Sequence, residues 1–206
     1  MFLRIRDNKR QESGHRHERF RINKERKIAF WLPNKCASTT LKHFLPKHGF
    51  VHVDLDETIR AALDPSIQHY AVIRNPYSRA VSAWLEAREN RYTKAWFAGT
   101  TFREWALQSN IQPDEHWELV TRLVPWKDDW SGPLPEMLRL EDGLNEAMSR
   151  ILGEQVRLGQ NHVRQKVGSD HWKMSYDGNE DVAMEIWTHY LMDFTVGGYD
   201  KDSWRL

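Results

Sequence analysis

Ile28-Ala29-Phe30-Trp31-Leu32-Pro33-Asn34-Lys35-Cys36-Ala37-Ser38-Thr39-Thr40-Leu41 is the stretch that decides the fold. Its apolar run, closed by a proline, reads as a short strand buried on both faces, as strands inside parallel sheets are. The polar and small residues from Asn34 to Thr40 make a tight loop. Leu41, Phe44 and Leu45 then recur at helical spacing. Working outward, Phe50-Val51-His52-Val53-Asp54 alternates and is β-branched, which predicts a second strand. Asp56 is placed to cap a short helix ending before Pro65. His69 to Ile73 reads as a third strand with Arg74-Asn75-Pro76 as its exit turn. Over 77–88, Ala80, Val81, Trp84 and Leu85 form one helical stripe.

Strands alternating with helices predict an α/β fold: a single domain with a central, mostly parallel sheet flanked by helices. The second half reads as mainly helical, over 101–109, 115–123, 142–152 and 180–193, with a short strand at 137–140. Loops are expected over 125–135 and 161–179. The domain is set at 27–206, after a basic, flexible leader over 1–26.

The chain has 206 residues, 40% of them hydrophobic, which suits one globular domain. The formal charge of +1 is an average over unlike parts. Residues 1–27 hold ten Lys/Arg against four Asp/Glu, and the remainder holds twenty against twenty-five. A near-neutral body argues against binding a nucleic acid by overall field. No run approaches the ~18 apolar residues of a membrane span, and the start lacks a secretory signal. With one cysteine, Cys36, there is no disulfide framework and no Cys-rich zinc site. These features predict a cytoplasmic protein without a metal centre.

Two segments carry chemistry. A lysine and hydroxyls between a parallel strand and a helix suit a phosphate-like anion. Lys35 supplies a point charge there, and Ser38, Thr39 and Thr40 supply hydroxyl donors. The Walker pattern GxxxxGK[ST] is absent, and an ordinary N-cap by Ser38 or Thr39 is the plain alternative. In the second segment, Arg74 leaves a buried strand at the end where open α/β sheets bind ligands. Ser82 lies in the next helix. An arginine fork plus a hydroxyl suits a phosphate monoester, and the plain alternative is an Arg–carboxylate pair.

Together these segments resemble a family. Pro33-Asn34-Lys35-Cys36-Ala37-Ser38-Thr39-Thr40-Leu41-Lys42 looks like the 5′-phosphosulfate-binding loop of sulfotransferases that use PAPS (3′-phosphoadenosine-5′-phosphosulfate). Val72-Ile73-Arg74-Asn75-Pro76-Tyr77-Ser78-Arg79-Ala80-Val81-Ser82-Ala83-Trp84 looks like their 3′-phosphate-binding strand and helix. The carbohydrate (Golgi-type) branch is the most similar. His116-Trp117, Leu138-Arg139-Leu140-Glu141-Asp142-Gly143-Leu144 and Asp193-Phe194-Thr195-Val196-Gly197-Gly198-Tyr199 resemble later family segments in the same order. One departure is that Cys36-Ala37 stands where many relatives carry glycine.

The resemblance implies a P-loop-like sulfotransferase fold and a sulfuryl transfer from PAPS to an acceptor hydroxyl or amine. It implies that Lys35 contacts the 5′-phosphosulfate and neutralises the leaving oxygen. The loop Cys36-Ala37-Ser38-Thr39-Thr40 holds the same group, and Arg74 and Ser82 bind the 3′-phosphate. Arg164 and Lys166, in a polar segment similar to one that closes over the nucleotide in relatives, are further phosphate contacts or else a solvated basic loop. For the base, His52 is the first choice by its place before the 3′-phosphate motif, with Asp54 and Glu57 as runners-up. A structural histidine on a strand is the competing reading of His52.

The acceptor expected from this branch is a carbohydrate or another hydroxylated small molecule. Trp96, Trp105, Trp126 and Trp130 either stack on sugar faces or pack in the core. Two other readings stand beside the transferase: a P-loop-like small-molecule kinase using ATP and Mg²⁺, or a non-catalytic nucleotide- or glycan-binding module. The missing Walker lysine–hydroxyl pair and the lack of a Mg²⁺-holding Asp at a strand end count against the kinase.

Overall fold

A computed structural model describes residues 19–89, 94–108, 116–124, 132–159 and 171–205. Along the chain these form β1 (Phe20–Asn23), β2 (Ile28–Trp31), α1 (Ser38–Phe44), α2 (Leu55–Leu63), β3 (Gln68–Ile73), α3 (Pro76–Glu89), α4 (Lys94–Phe97), α5 (Phe102–Gln108), α6 (Val120–Leu123), β4 (Glu136–Arg139), α7 (Leu144–Leu152), α8 (Glu180–His189) and α9 (Leu191–Gly197). Single 3₁₀ turns lie at Leu45–His48, Leu140–Asp142 and His171–Tyr176. No helix among the described residues is long and apolar enough to cross a membrane. The described residues divide into two compact units, 19–73 with 120–159 and 74–119 with 171–205.

The first unit is an α/β arrangement around a four-stranded mixed sheet in the order β1-β2-β3-β4. β1 runs antiparallel to β2, with Phe20 opposite Trp31. β2 and β3 are parallel, with Trp31 opposite Ala71, and β3 and β4 are parallel, with Ile73 opposite Arg139. Burial follows position in the sheet. All four residues of β2 and five of six in β3 are buried, whereas edge strand β4 buries only Leu138. That is why the central strands read as unbroken apolar runs. Phe30 stacks on Tyr70 at 5.4 Å and meets the edge of Phe50 at 5.5 Å. Burying an aromatic of this size contributes about 1.5–3 kcal/mol. α7 buries Leu144, Met148 and Leu152, four residues apart along one face.

The second unit is helical and built on α3, which buries Tyr77, Ala80, Val81, Ala83 and Ala87. Around Tyr77 the rings of Phe194 and Tyr176 lie edge-on at 4.8 and 5.1 Å. Arg79 is buried beside Asp193, each side chain 1% exposed, with Nη1 3.4 Å from the carboxylate. Its other nitrogen donates to the Glu118 carbonyl, and the guanidinium lies over the Tyr190 ring.

Several expectations change. Residues 20–23, assigned to the leader, are β1: Phe20 and Ile22 point inward and Arg21 is half-buried, an alternation hidden by the surrounding charge. The strand expected over 50–54 reduces to one bridge, Val51 with Ile22. The chain turns away after Val53 because Asp54 is already the N-cap of α2. Asp54 therefore holds the capping role expected of Asp56. The helix expected over 115–123 is confined to α6, that over 142–152 starts only after Gly143, and that over 180–193 breaks at Tyr190 into α8 and α9.

Candidate functional site

β2 and β3 are parallel neighbours, so the chain leaves both at the same edge of the sheet. Each exit carries one of the two segments singled out above.

At the β2 exit, Leu32 and Pro33 are buried and the Cys36 amide donates to the Pro33 carbonyl at 3.3 Å, closing a tight turn. Lys35 and Ala37 both adopt the left-handed conformation, with φ of 65° and 59°. Only three non-glycine residues among those described do so, and two are in this loop. Each costs about 1–3 kcal/mol, and such strain concentrates at ligand-binding turns. Left-handed Ala37 leads directly into the right-handed first residue of α1, and a left-handed residue beside a right-handed one aims neighbouring amides to one side, as in backbone anion nests. Cys36 and Ser38 are buried, Lys35, Ala37 and Thr40 are half-buried, and Thr39 is exposed. Neither Ser38 nor Thr39 is the N-cap of α1. That position belongs to Ala37, which has no side-chain oxygen to offer. The left-handed conformation at Ala37 is the one glycine adopts most readily.

At the β3 exit the side chains do the holding. Arg74 Nε donates to Ser78 Oγ at 2.7 Å. Asn75 Oδ1 accepts the Tyr77 amide at 3.0 Å and the Asn75 carbonyl accepts the Arg79 amide at 2.8 Å, so Asn75 starts α3 with Pro76 as its first residue. Ser82 lies one turn beyond Ser78 on the same face and is half-buried. Sequence reasoning overlooked Ser78 as the partner of Arg74, although the spacing of four on a helix start was a usable signal.

The base candidates separate. Asp54 Oδ1 accepts the Glu57 amide at 2.8 Å as the cap of α2, and Glu57 pairs with Lys24. Both carboxylates are committed to starting and holding that helix. His52 is exposed, between the Val51 bridge and the Asp54 cap, and does not sit in the strand expected for it. His48 pairs with Glu154 at 2.9 Å, and His116 faces Glu86 at 3.7 Å. His69 is buried against the rings of Phe20 and Trp31, and burial lowers its pKa below the ordinary 6.5. Asp142 pairs with Arg139, and Gly143 rather than a carboxylate is the N-cap of α7. Among the described residues no three His, Cys, Asp or Glu side chains gather into a metal-binding group.

Trp105 is fully buried, edge-on to Trp117 at 5.7 Å, and belongs to the core. Arg164, Lys166, Trp126, Trp130 and the Trp96 side chain lie outside the described residues. The donor set on the two exits is cationic and hydroxylic: Lys35, Ser38, Thr39 and Thr40 on one, Arg74, Ser78 and Ser82 on the other. Each set by itself offers the cationic and hydroxylic donors that phosphate-type anions accept from. No family model matches the chain, and neither a curated protein nor a solved structure matches it.

Proposed function

We propose that the chain is a sulfotransferase that takes a sulfuryl group from PAPS and places it on a hydroxyl of a carbohydrate or other small acceptor. The observation that carries this reading is the parallel pairing of β2 and β3, which sends a strained, lysine-bearing loop and an arginine-bearing helix start off one sheet edge. Lys35 and the 36–40 loop hold the 5′-phosphosulfate. Arg74, oriented by Ser78, and Ser82 hold the 3′-phosphate. Recognition of that second phosphate separates PAPS from ATP and AMP.

In the transfer, the acceptor oxygen forms a bond to sulfur as the bond from sulfur to the bridging phosphate oxygen breaks. Negative charge builds on that leaving oxygen, where a fixed lysine charge contributes most. The proton released by the acceptor goes to His52, put first by its place in the chain before the 3′-phosphate motif. Positioning and electrostatics account for the remainder, because the group is passed in line between two oxygens.

A thermal-shift comparison of 3′,5′-adenosine bisphosphate with 5′-AMP, ADP and ATP/Mg²⁺ tests the reading. The bisphosphate is expected to raise the melting temperature most. An advantage for ATP/Mg²⁺ would point to a kinase instead. Binding of the bisphosphate without sulfuryl transfer to any acceptor would point to a binding module.

A further inference from the structure

The segment Asp200–Arg205 follows α9 and lies beyond every motif read from the sequence. It is folded into a turn of its own, with the Ser203 amide on the Asp200 carbonyl at 3.1 Å and the Asp202 amide on Asp200 Oδ1 at 2.7 Å. Two hydrogen bonds tie this turn to the start of α3. Asn75 Nδ2 donates to Ser203 Oγ at 2.9 Å, and the Tyr77 hydroxyl donates to the Lys201 carbonyl at 2.5 Å. Trp204 packs on Tyr176, whose hydroxyl in turn donates to the Tyr77 carbonyl at 3.0 Å.

These contacts fall on Asn75 and Tyr77, one and three residues after Arg74. The amide of Asn75, 6% exposed, is held from both ends: Oδ1 caps α3 and Nδ2 meets Ser203. With both ends engaged, the side chain has one orientation, and the first turn of α3 is fixed against the peptide that carries Arg74. Ser78, which receives Arg74 Nε, sits in that same turn. The direction of the guanidinium therefore depends on how firmly residues 75 to 78 are held. A fork set in advance binds an anion without spending affinity on ordering itself.

We propose that Asp200–Arg205 is a positioning clasp that sets Arg74 for the 3′-phosphate, with Ser203 as its key side chain. It acts through Asn75 and Tyr77 and does not touch the nucleotide. The proposal rests on the nucleotide reading of Arg74 given above, and it adds a determinant of selectivity more than a hundred residues away in sequence.

The test uses Ser203→Ala, Tyr77→Phe and, as the variant that keeps a hydroxyl, Ser203→Thr. Affinity for 3′,5′-adenosine bisphosphate and for 5′-AMP is measured by titration calorimetry on each full chain. Ser203→Ala and Tyr77→Phe are expected to weaken the bisphosphate about ten-fold, the size of one lost buried hydrogen bond. They should leave 5′-AMP unchanged, and Ser203→Thr should restore the preference. Two outcomes overturn the clasp while the wild-type protein still prefers the bisphosphate: both nucleotides weakening in equal proportion, or an unchanged preference in both variants. A wild-type protein with no preference for the bisphosphate removes the nucleotide reading itself, and the clasp with it.

Discussion

The exits of β2 and β3 leave neighbouring parallel strands, yet they are held in opposite ways. The turn after β2 is shaped by its backbone: Lys35 and Ala37 are left-handed, and α1 starts at Ala37 without a side-chain cap. The turn after β3 is shaped by side chains, with Asn75 capping α3, Ser78 receiving Arg74, and Ser203 and Lys201 holding Asn75 and Tyr77. A backbone-built loop presents amides and tolerates changes in its side chains. A side-chain-built turn presents one fixed cation and loses it when any member of the set is removed.

The sharpest way to break this contrast is Arg79→Ala. It removes a guanidinium from the helix that carries the side-chain-built turn and leaves Asp193 of α9 buried without it. Losing one member of a buried pair costs about 3–5 kcal/mol, so urea unfolding should show a loss of that order. A change below about 1 kcal/mol, the range of a surface pair, would mean that α3 is not anchored through Arg79.

Acid probes the other unit. His69 on β3 is buried against Phe20 and Trp31, and burial lowers its pKa, with the Asp64 carboxylate opposing the shift. Between 6.5 and that lowered value the unfolded chain binds a proton that the folded chain does not. Stability therefore falls as pH falls through this window and is fully present above 6.5. One such group contributes a slope of at most about 1.4 kcal/mol per pH unit. Urea midpoints at pH 7.5 and 5.5 should show the fall in the wild-type protein and a smaller one in His69→Phe. An equal fall in both would place the titration elsewhere.

The smallest effect expected is a gain. Ala37→Gly removes a left-handed alanine, relieving about 1–2 kcal/mol against an added unfolded-state entropy of about 0.4–1 kcal/mol. The net should be a slight rise in melting temperature, with the amide cradle intact. A clear loss of stability would show that the loop is held by the Ala37 methyl group and not by its backbone.

What was legible in the sequence follows from the same physics. β2, β3, α1 and α3 announced themselves because buried central strands are continuous apolar runs and helices repeat an apolar stripe. β1 was hidden because Phe20 and Ile22 alternate with Arg19, Arg21 and Asn23 inside a charged stretch. The strand expected over 50–54 failed because Asp54 serves α2, a competition that local alternation does not reveal. Neither that cap nor the ion pair of Glu57 with Lys24 is marked by the alternation of apolar residues. Lys35 and Arg74 were readable as residues at strand exits, whereas Ser38 and Thr39, expected in the loop, form the first turn of α1. Ser203 was not, since its partner Asn75 is brought to it only by the tertiary fold and no local pattern marks it.

The proposed roles of Lys35 and Arg74 are tested most directly by the affinity of Lys35→Ala, Arg74→Ala and the wild-type protein for 3′,5′-adenosine bisphosphate and for 5′-AMP. Arg74→Ala should lose the bisphosphate by about ten- to a hundred-fold, as expected for a charge-assisted contact of about 1.5–3 kcal/mol, and keep 5′-AMP. Lys35→Ala should weaken both nucleotides together, because both carry the 5′-phosphate. Unchanged bisphosphate affinity in either variant would contradict the claim.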